Sequence, residues 1–177
     1  MIGSEPASIS IRPYRLEDAE ALAEAARESS REILPGMAWC RPDFSAADAA
    51  AWLGPQVEAF AARRAFEFAI VGSDGRYLGG CALNQIHVDY RFANLGYWVR
   101  TSATGQGVAT AAVGRLVEFA RAETGLVRLE LVIVAGNRAS ARVAETAGAR
   151  LEGTLAARIH LHGAPRDAWM YSIVIPR

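Results

Sequence analysis

The 177 residues predict a single α/β domain built around one mixed sheet. Three observations carry this expectation. The length suits one domain, which buries about 70% of its unfolded surface on folding. The apolar period switches repeatedly between helical and strand spacing, in the order β-α-α-β-β-β-α-β-α-β-β. No repeat, linker or low-complexity tract interrupts that string. Residues 1–8 are expected as a disordered lead and 9–177 as the domain.

Each element has its own signal. Residues 9–14 alternate as a strand. LEDAEALAEAARESS then predicts a helix with Leu16, Ala19, Leu22, Ala23 and Ala26 on one stripe. Pro35, Gly36 and Pro42 make 31–44 irregular. Ser45 and Asp48 have capping-box spacing, so a second helix starts there and runs towards Arg64, kinked or split by Gly54 and Pro55. FEFAIVG, the Asp74-Gly75 turn and RYLGGCALNQIHV form a hairpin. FANLGYWVR is the next strand, with Leu95, Tyr97 and Val99 on one face. A helix over Val108–Glu123, a buried strand LVRLELVIVA and a helix capped by Asn137 and closed by Gly148 follow. A hairpin around Gly163-Ala164-Pro165 ends the chain.

Composition removes several function classes. All 19 basic residues are arginine, balanced by 19 acidic ones. Without lysine there is neither a P-loop phosphate ligand nor a Schiff-base amine. Zero net charge argues against broad nucleic-acid binding. No apolar run reaches the roughly 20 residues a membrane span needs, and the first residues lack the features of a signal peptide. Cys40 and Cys81 are too few for a disulfide framework and read as reduced thiols of a cytoplasmic protein. His160 and His162 share a strand face without a third ligand at usable spacing, so no metal is expected.

The chemistry concentrates in NLGYWVRTSATGQGVATAAVGRLVEF. A strand ends at Val99, a short loop turns, and Gly105-Gln106-Gly107 opens a helix. Glycines let a ligand approach the backbone, and free N–H groups at a helix start favour an anion such as a diphosphate. A dinucleotide fingerprint fails here. Its third glycine falls on Thr110, and the loop follows three consecutive strands instead of opening an N-terminal βαβ unit.

Order and spacing resemble the GNAT acyltransferase superfamily. Thr104-Gly105-Gln106-Gly107-Val108-Ala109 lies on its R/Q-x-x-G-x-G/A signature, with threonine replacing the usual first residue. Asn137-Arg138-Ala139-Ser140 matches its N-x-x-S form. VAETAGARLEG and a final hairpin ending MYSIV resemble the RimJ/RimL branch, which acetylates protein N-termini. The resemblance spans Ile9 to Ile175. It implies a mostly antiparallel sheet of about seven strands with about four helices, and acetyl-CoA as acyl donor.

It also implies roles. The backbone of Trp98 and Val99 would bond the pantetheine in a gap beside the strand. Residues Thr104, Gly105, Gln106, Gly107, Val108, Ala109 and Thr110 would hold the diphosphate. Asn137, also a preferred N-cap whatever the function, would contact the pantetheine arm. Ser140 would protonate the leaving thiolate, since the family's alternative tyrosine position is Ala144; otherwise Ser140 only bonds backbone at the helix start. The branch's acidic position falls on Ile159, so no base carries over, and Glu130, His87 and Asp89 are the local candidates. A site with a weak base suits an α-amine, roughly a tenth neutral at pH 7, better than a lysine side chain. The segment 33–44, with Met37 and Trp39, either lines the acceptor groove or covers the core. Arg100 and Arg138 either meet the phosphates or are solvated. Whether Glu32, Asp43, Glu67 or Asp89 faces the groove stays open. The expected acceptor is a protein N-terminus. A small amine such as an antibiotic, polyamine or amino acid is the alternative acceptor, a non-catalytic acyl-CoA-binding module the alternative role, and a homodimer a family habit.

Overall fold

A computed structural model describes residues 8–176. The expected lead lies outside the described residues, Ser8 excepted. The elements are β1 (Ile9–Pro13), α1 (Ala19–Ile33), α2 (Ala46–Ala61), β2 (Phe66–Gly72), β3 (Tyr77–His87), β4 (Phe92–Val99), α3 (Val108–Glu123), β5 (Arg128–Val134), α4 (Arg138–Thr146), β6 (Arg150–Leu161) and β7 (Ala164–Val174). Their order is the expected one. Among the described residues no helix is long and apolar enough to cross a membrane.

Two local expectations change. Leu16 starts a 3-10 turn, Leu16–Asp18, ahead of α1. Asp18 holds that turn by accepting from the Arg15 amide at 2.8 Å and pairing with Arg12 at 2.6 Å. The tighter turn shifts the phase, so Leu16 is 57% exposed while Leu22, Ala23 and Ala26 are buried. Further on, α2 is not split. Its capping box forms, with Asp48 N–H donating to Ser45 Oγ at 3.1 Å and Ser45 N–H to Asp48 Oδ2 at 2.9 Å. Pro55 removes the donor for the Ala51 carbonyl, but both residues lie on the exposed side, where water can serve it.

The seven strands form one sheet in the order β1-β2-β3-β4-β5-β7-β6. Every neighbouring pair is antiparallel except β4 with β5. One face packs on α3 and α4 through Phe66, Phe68, Leu83, Leu95, Leu116 and Leu129. The other packs beneath α1 and α2 through Tyr14, Leu22, Cys40, Phe44 and Leu53. The edge strand β6 shifts register after Leu151 and again after Leu155, where Asp167 Oδ1 accepts from the Ala157 amide at 2.9 Å.

The feature that positions everything else is the short parallel pairing. β4 and β5 are matched only at Phe92–Arg128, Ala93–Leu129 and Asn94–Glu130. Beyond that point β4 stays paired to β3 as far as Val99–Gly79, and β5 stays paired to β7 as far as Val134–Ala168. The inner edges part, and a slot opens between them.

Two glycines near the slot test the packing. A Cβ at Gly80 would sit 2.3 Å from Tyr14 Oη and 2.9 Å from Trp98 Nε1, whereas at Gly96 it would meet only Asn94 Nδ2, at 3.8 Å. Gly80→Ala is expected to cost about 1–3 kcal/mol through overpacking. Gly96→Ala is expected to change stability by less than about 0.5 kcal/mol. Thermal melts of the two variants check this.

Candidate active site

The slot has donors and acceptors along one wall. In a strand, peptide groups point alternately to the two neighbours. The Arg91 carbonyl accepts from the Val127 amide, towards β5, and the Arg100 amide donates to the Leu78 carbonyl, towards β3. Alternation therefore turns the peptide groups of Leu95, Tyr97 and Val99 into the slot. Trp98 turns its own to β3, opposite Gly80. Of the two residues expected to present backbone to a guest, Val99 turns its peptide group into the slot and Trp98 turns its own away from it. Tyr97, read from sequence only as a strand residue, turns its peptide group the same way as Val99.

The slot leads to the glycine loop. Gly105 and Gly107 have φ of 73° and 78°, which glycine adopts without steric cost, and a Cβ at either position would meet no atom within 4 Å. The first helical bond of α3 is from the Ala111 amide to the Gly107 carbonyl, 2.9 Å. Among the described residues, the amides of Gly105 through Thr110 have no protein acceptor, and α3 has no side-chain cap. Six donors at a helix N-terminus are a fit for a diphosphate. The side chains around them serve the loop itself. Thr104 Oγ1 donates to the Thr101 carbonyl at 2.8 Å, and Gln106 Nε2 to the Ser102 carbonyl at 2.9 Å.

Arg100 is neither at the loop's anion face nor solvated. It is 3% exposed, with Nη2 on Glu24 at 2.7 Å, Nε on Glu28 at 2.9 Å and Nη1 on the Tyr77 carbonyl at 3.2 Å. Glu28 also accepts from the Ser102 amide at 2.8 Å, Ser29 Oγ from the Thr101 amide at 2.9 Å, and Glu32 from Thr101 Oγ1 at 3.1 Å. α1 thus braces the loop. The signal was present in the sequence, because Glu24, Glu28 and Glu32 recur at four-residue spacing on one helix face. The Arg100 hydrogen bond holds the Glu28 carboxyl down at about 2. Arg138 is exposed at the first position of α4.

Across the slot, Asn137 Oδ1 accepts from the Ser140 amide at 3.0 Å and caps α4. Tyr97 reaches over from β4. Its phenol lies 3.0 Å from the Ser140 carbonyl and 2.8 Å from Ser140 Oγ, and its one proton serves one of these acceptors at a time. Burial raises the Tyr97 pKa, against the pull of Ser140, so the phenol stays protonated at neutral pH. When the phenol donates to Ser140 Oγ, the serine hydroxyl is left free to donate into the slot.

On the α1/α2 face a cavity of about 330 Å³ abuts the same stretch of β4. Met37, Trp39 and Phe44 from segment 33–44 line it, with Trp52, Trp98 and Glu67. Trp39 and Trp98 meet edge to face at 5.3 Å. Glu67 accepts from Asn84 Nδ2 at 3.1 Å, and Asn84 Oδ1 accepts from Asn94 Nδ2 at 2.9 Å. Burial pushes the Glu67 carboxyl above its ordinary range, partly offset by the Asn84 hydrogen bond. Of the local base candidates, Glu130 pairs with Arg128 at 2.8 Å, His87 stacks on Tyr90 and Phe92, and Asp89 is exposed in the turn between β3 and β4. Ile159 sits on β6 opposite Arg166. His162 bonds the Leu34 carbonyl at 2.9 Å, bringing the β6–β7 hairpin to segment 33–44.

Three measurements test this assembly. Gly107→Ala forces a side chain into a left-handed conformation, costing about 1–2 kcal/mol, and is expected to lower Tm accordingly. A depressed carboxyl pKa stabilises above its unfolded value and loses that contribution as pH falls towards its folded value. Tm is therefore expected to drop between about pH 4.5 and pH 2, with Glu28→Gln removing part of that drop and lowering Tm at pH 7. Arg100→Met is expected to cost about 2 kcal/mol at pH 7, below the range of a fully buried pair because the carboxylates retain water.

Comparison with known proteins gives the assembly a relationship. The N-acetyltransferase YoaA of Bacillus subtilis (strain 168), itself uncharacterized, is 33% identical over 100 residues, 56% of this chain and 55% of its own length. The chain spans a little over half the length of the curated relatives it matches. Mycobacterium smegmatis RimJ, solved in complex with CoA-disulfide, superposes with a TM-score of 0.88 at 27% identity, over 96% of this chain and 83% of that one. RimL, a ribosomal L7/L12 alpha-N-protein acetyltransferase solved with coenzyme A, has a TM-score of 0.87 over 95% and 94% of the two chains; at 21% identity it speaks for the fold. The sequence pattern of the acetyltransferase (GNAT) domain matches residues 8–150, and this chain belongs to that family.

Proposed function

We propose that the chain is an acetyl-CoA-dependent N-acetyltransferase whose acceptor is the α-amine of a protein N-terminus. The observation that carries the reading is the slot between β4 and β5, which ends on the unclaimed amides of Gly105 to Thr110. Acetyl-CoA supplies an acyl group activated as a thioester. The peptide groups of Tyr97 and Val99 bond the pantetheine as an added strand would. The amides of residues 105–110 hold the diphosphate, and the Asn137 side chain fixes the start of α4 beside the arm. A β4 amide aimed at the thioester carbonyl stabilises the charge that develops there. Ser140, backed by the Tyr97 phenol, gives the leaving sulfur its proton.

The α-amine reading is supported by acid–base arithmetic and by kinship. An α-amine near pKa 8 needs about two units less help than a lysine near 10.4. RimJ and RimL share the fold across nearly the whole chain. Thiol release from acetyl-CoA in the presence of N-terminal peptides and of small amines tests the proposal. Peptides are expected to raise release above background. If CoA binds but no amine raises release, the enzymatic reading falls, and if only small amines do, the acceptor changes. Tyr97→Phe and Ser140→Ala are each expected to lower kcat by roughly 10²-fold, with CoA affinity changed less than about threefold. Unchanged turnover in both would favour a binding module.

A further inference from the structure

The cavity on the α1/α2 face has a composition that selects among amines. Glu67, Ala82 and Gly96 stand opposite one another on β2, β3 and β4. Two strand spacings separate the first from the last, about 9.5 Å between backbones. The residues between carry almost no side chain, so the Glu67 carboxylate looks over a floor of Ala82 and Gly96 to the strand that borders the slot. Above this floor stand Leu22, Met37, Trp39, Phe44, Trp52 and Trp98. Among the described residues, Glu67 is the single charged one lining the cavity. Its bond from Asn84 engages Oε1 and leaves Oε2 without a protein donor among the described residues.

Building on the acetyl-transfer reading, we propose that this cavity is the acceptor site for a primary amine whose neighbouring carbon bears a large apolar or aromatic side chain, and that Glu67 binds the ammonium and takes its proton. The walls favour an apolar substituent, because its burial contributes about ten- to hundredfold in affinity that a glycine residue lacks. A lone carboxylate satisfies one ammonium. The further charges of a polyamine would be buried against tryptophan and leucine without a counter-charge. The carboxylate is held in place by the Asn94–Asn84 chain, and its raised pKa makes it a better proton acceptor than a solvated one. The proton count closes. Nitrogen gives up two protons in becoming an amide: one passes to Glu67 and on to solvent, and the other replaces the proton that Ser140 delivers to sulfur. The C–N bond forms as the C–S bond breaks.

Three tryptophans in the wall make binding readable without turnover. CoA-loaded protein is titrated with L-phenylalaninamide, glycinamide, uncharged 3-phenylpropionamide and spermidine, following tryptophan fluorescence. Phenylalaninamide is expected to bind at least tenfold more tightly than each of the others. Glu67→Gln, which keeps size and can keep the Asn84 bond, is expected to abolish the advantage of phenylalaninamide over 3-phenylpropionamide. Gly96→Val, which raises the floor, is expected to weaken phenylalaninamide more than glycinamide. In turnover, peptides opening with phenylalanine or leucine are expected to exceed those opening with glycine at least tenfold in kcat/KM. Spermidine or glycinamide binding as tightly as phenylalaninamide overturns the proposal, as does a Glu67→Gln protein, folded by its melt, that keeps the preference for the charged amine. Selective amine binding without thiol release sinks the acetyl-transfer reading and leaves the amine pocket standing.

Discussion

A sheet cannot leave buried peptide groups unpaired without a substitute partner. That constraint organises this molecule. β4 is tied to β3 along its outer edge and β5 to β7 along its own, so each strand is firmly placed by a neighbour that the other does not share. Their mutual pairing stops after Asn94 and Glu130, and the peptide groups beyond must find water or a guest. An extended chain with alternating amides fits that requirement. The same divergence sets where the glycine loop lies and which way the first turn of α3 faces.

The loop is held by electrostatics as well as by its backbone. Arg100 leaves the last residue of β4 and buries its guanidinium between carboxylates of α1. Glu28 takes the amide of Ser102, and Ser29 that of Thr101, just ahead of the glycines. The helix that roofs the aromatic cavity is therefore the helix that steadies the glycine loop. The two halves of the site share one cation as a common fixture, and a shift of α1 would be felt at both. Arginine suits the post, since its planar fork bonds two carboxylates and a carbonyl at once.

Much of this was legible in the sequence, for identifiable reasons. Strand order, the Asp74-Gly75 turn, the Ser45–Asp48 box and the Asn137 cap each rest on local chemistry, and local chemistry is written in adjacent residues. The family's motifs lie in the glycine loop and at the start of α4 for the same reason. Pro55 leaves α2 unsplit, because its cost depends on whether the orphaned carbonyl faces water, which only the packing reveals. Tyr97 and Glu67 were opaque on other grounds. The phenol meets Ser140 across 43 residues of chain, and the carboxylate gains its setting from small residues on two other strands. A function created by what a neighbour lacks leaves no mark at the residue that performs it. The helical spacing of Glu24, Glu28 and Glu32 was visible, but nothing in it named Arg100 as their partner.

The interruptions in β6 bear on how this chain behaves in a crowd. A twelve-residue outer strand would offer a long row of free amides and carbonyls, the template from which intermolecular sheets grow. Here the run is chopped at Glu152 and at residues 156–158, with Ala157 turned to a φ of 50°. What remains in register is short, at Arg150–Leu151, Gly153–Leu155 and Ile159–Leu161. A stray chain finds no continuous ribbon to copy, so the fold keeps an extended margin without inviting fibrils.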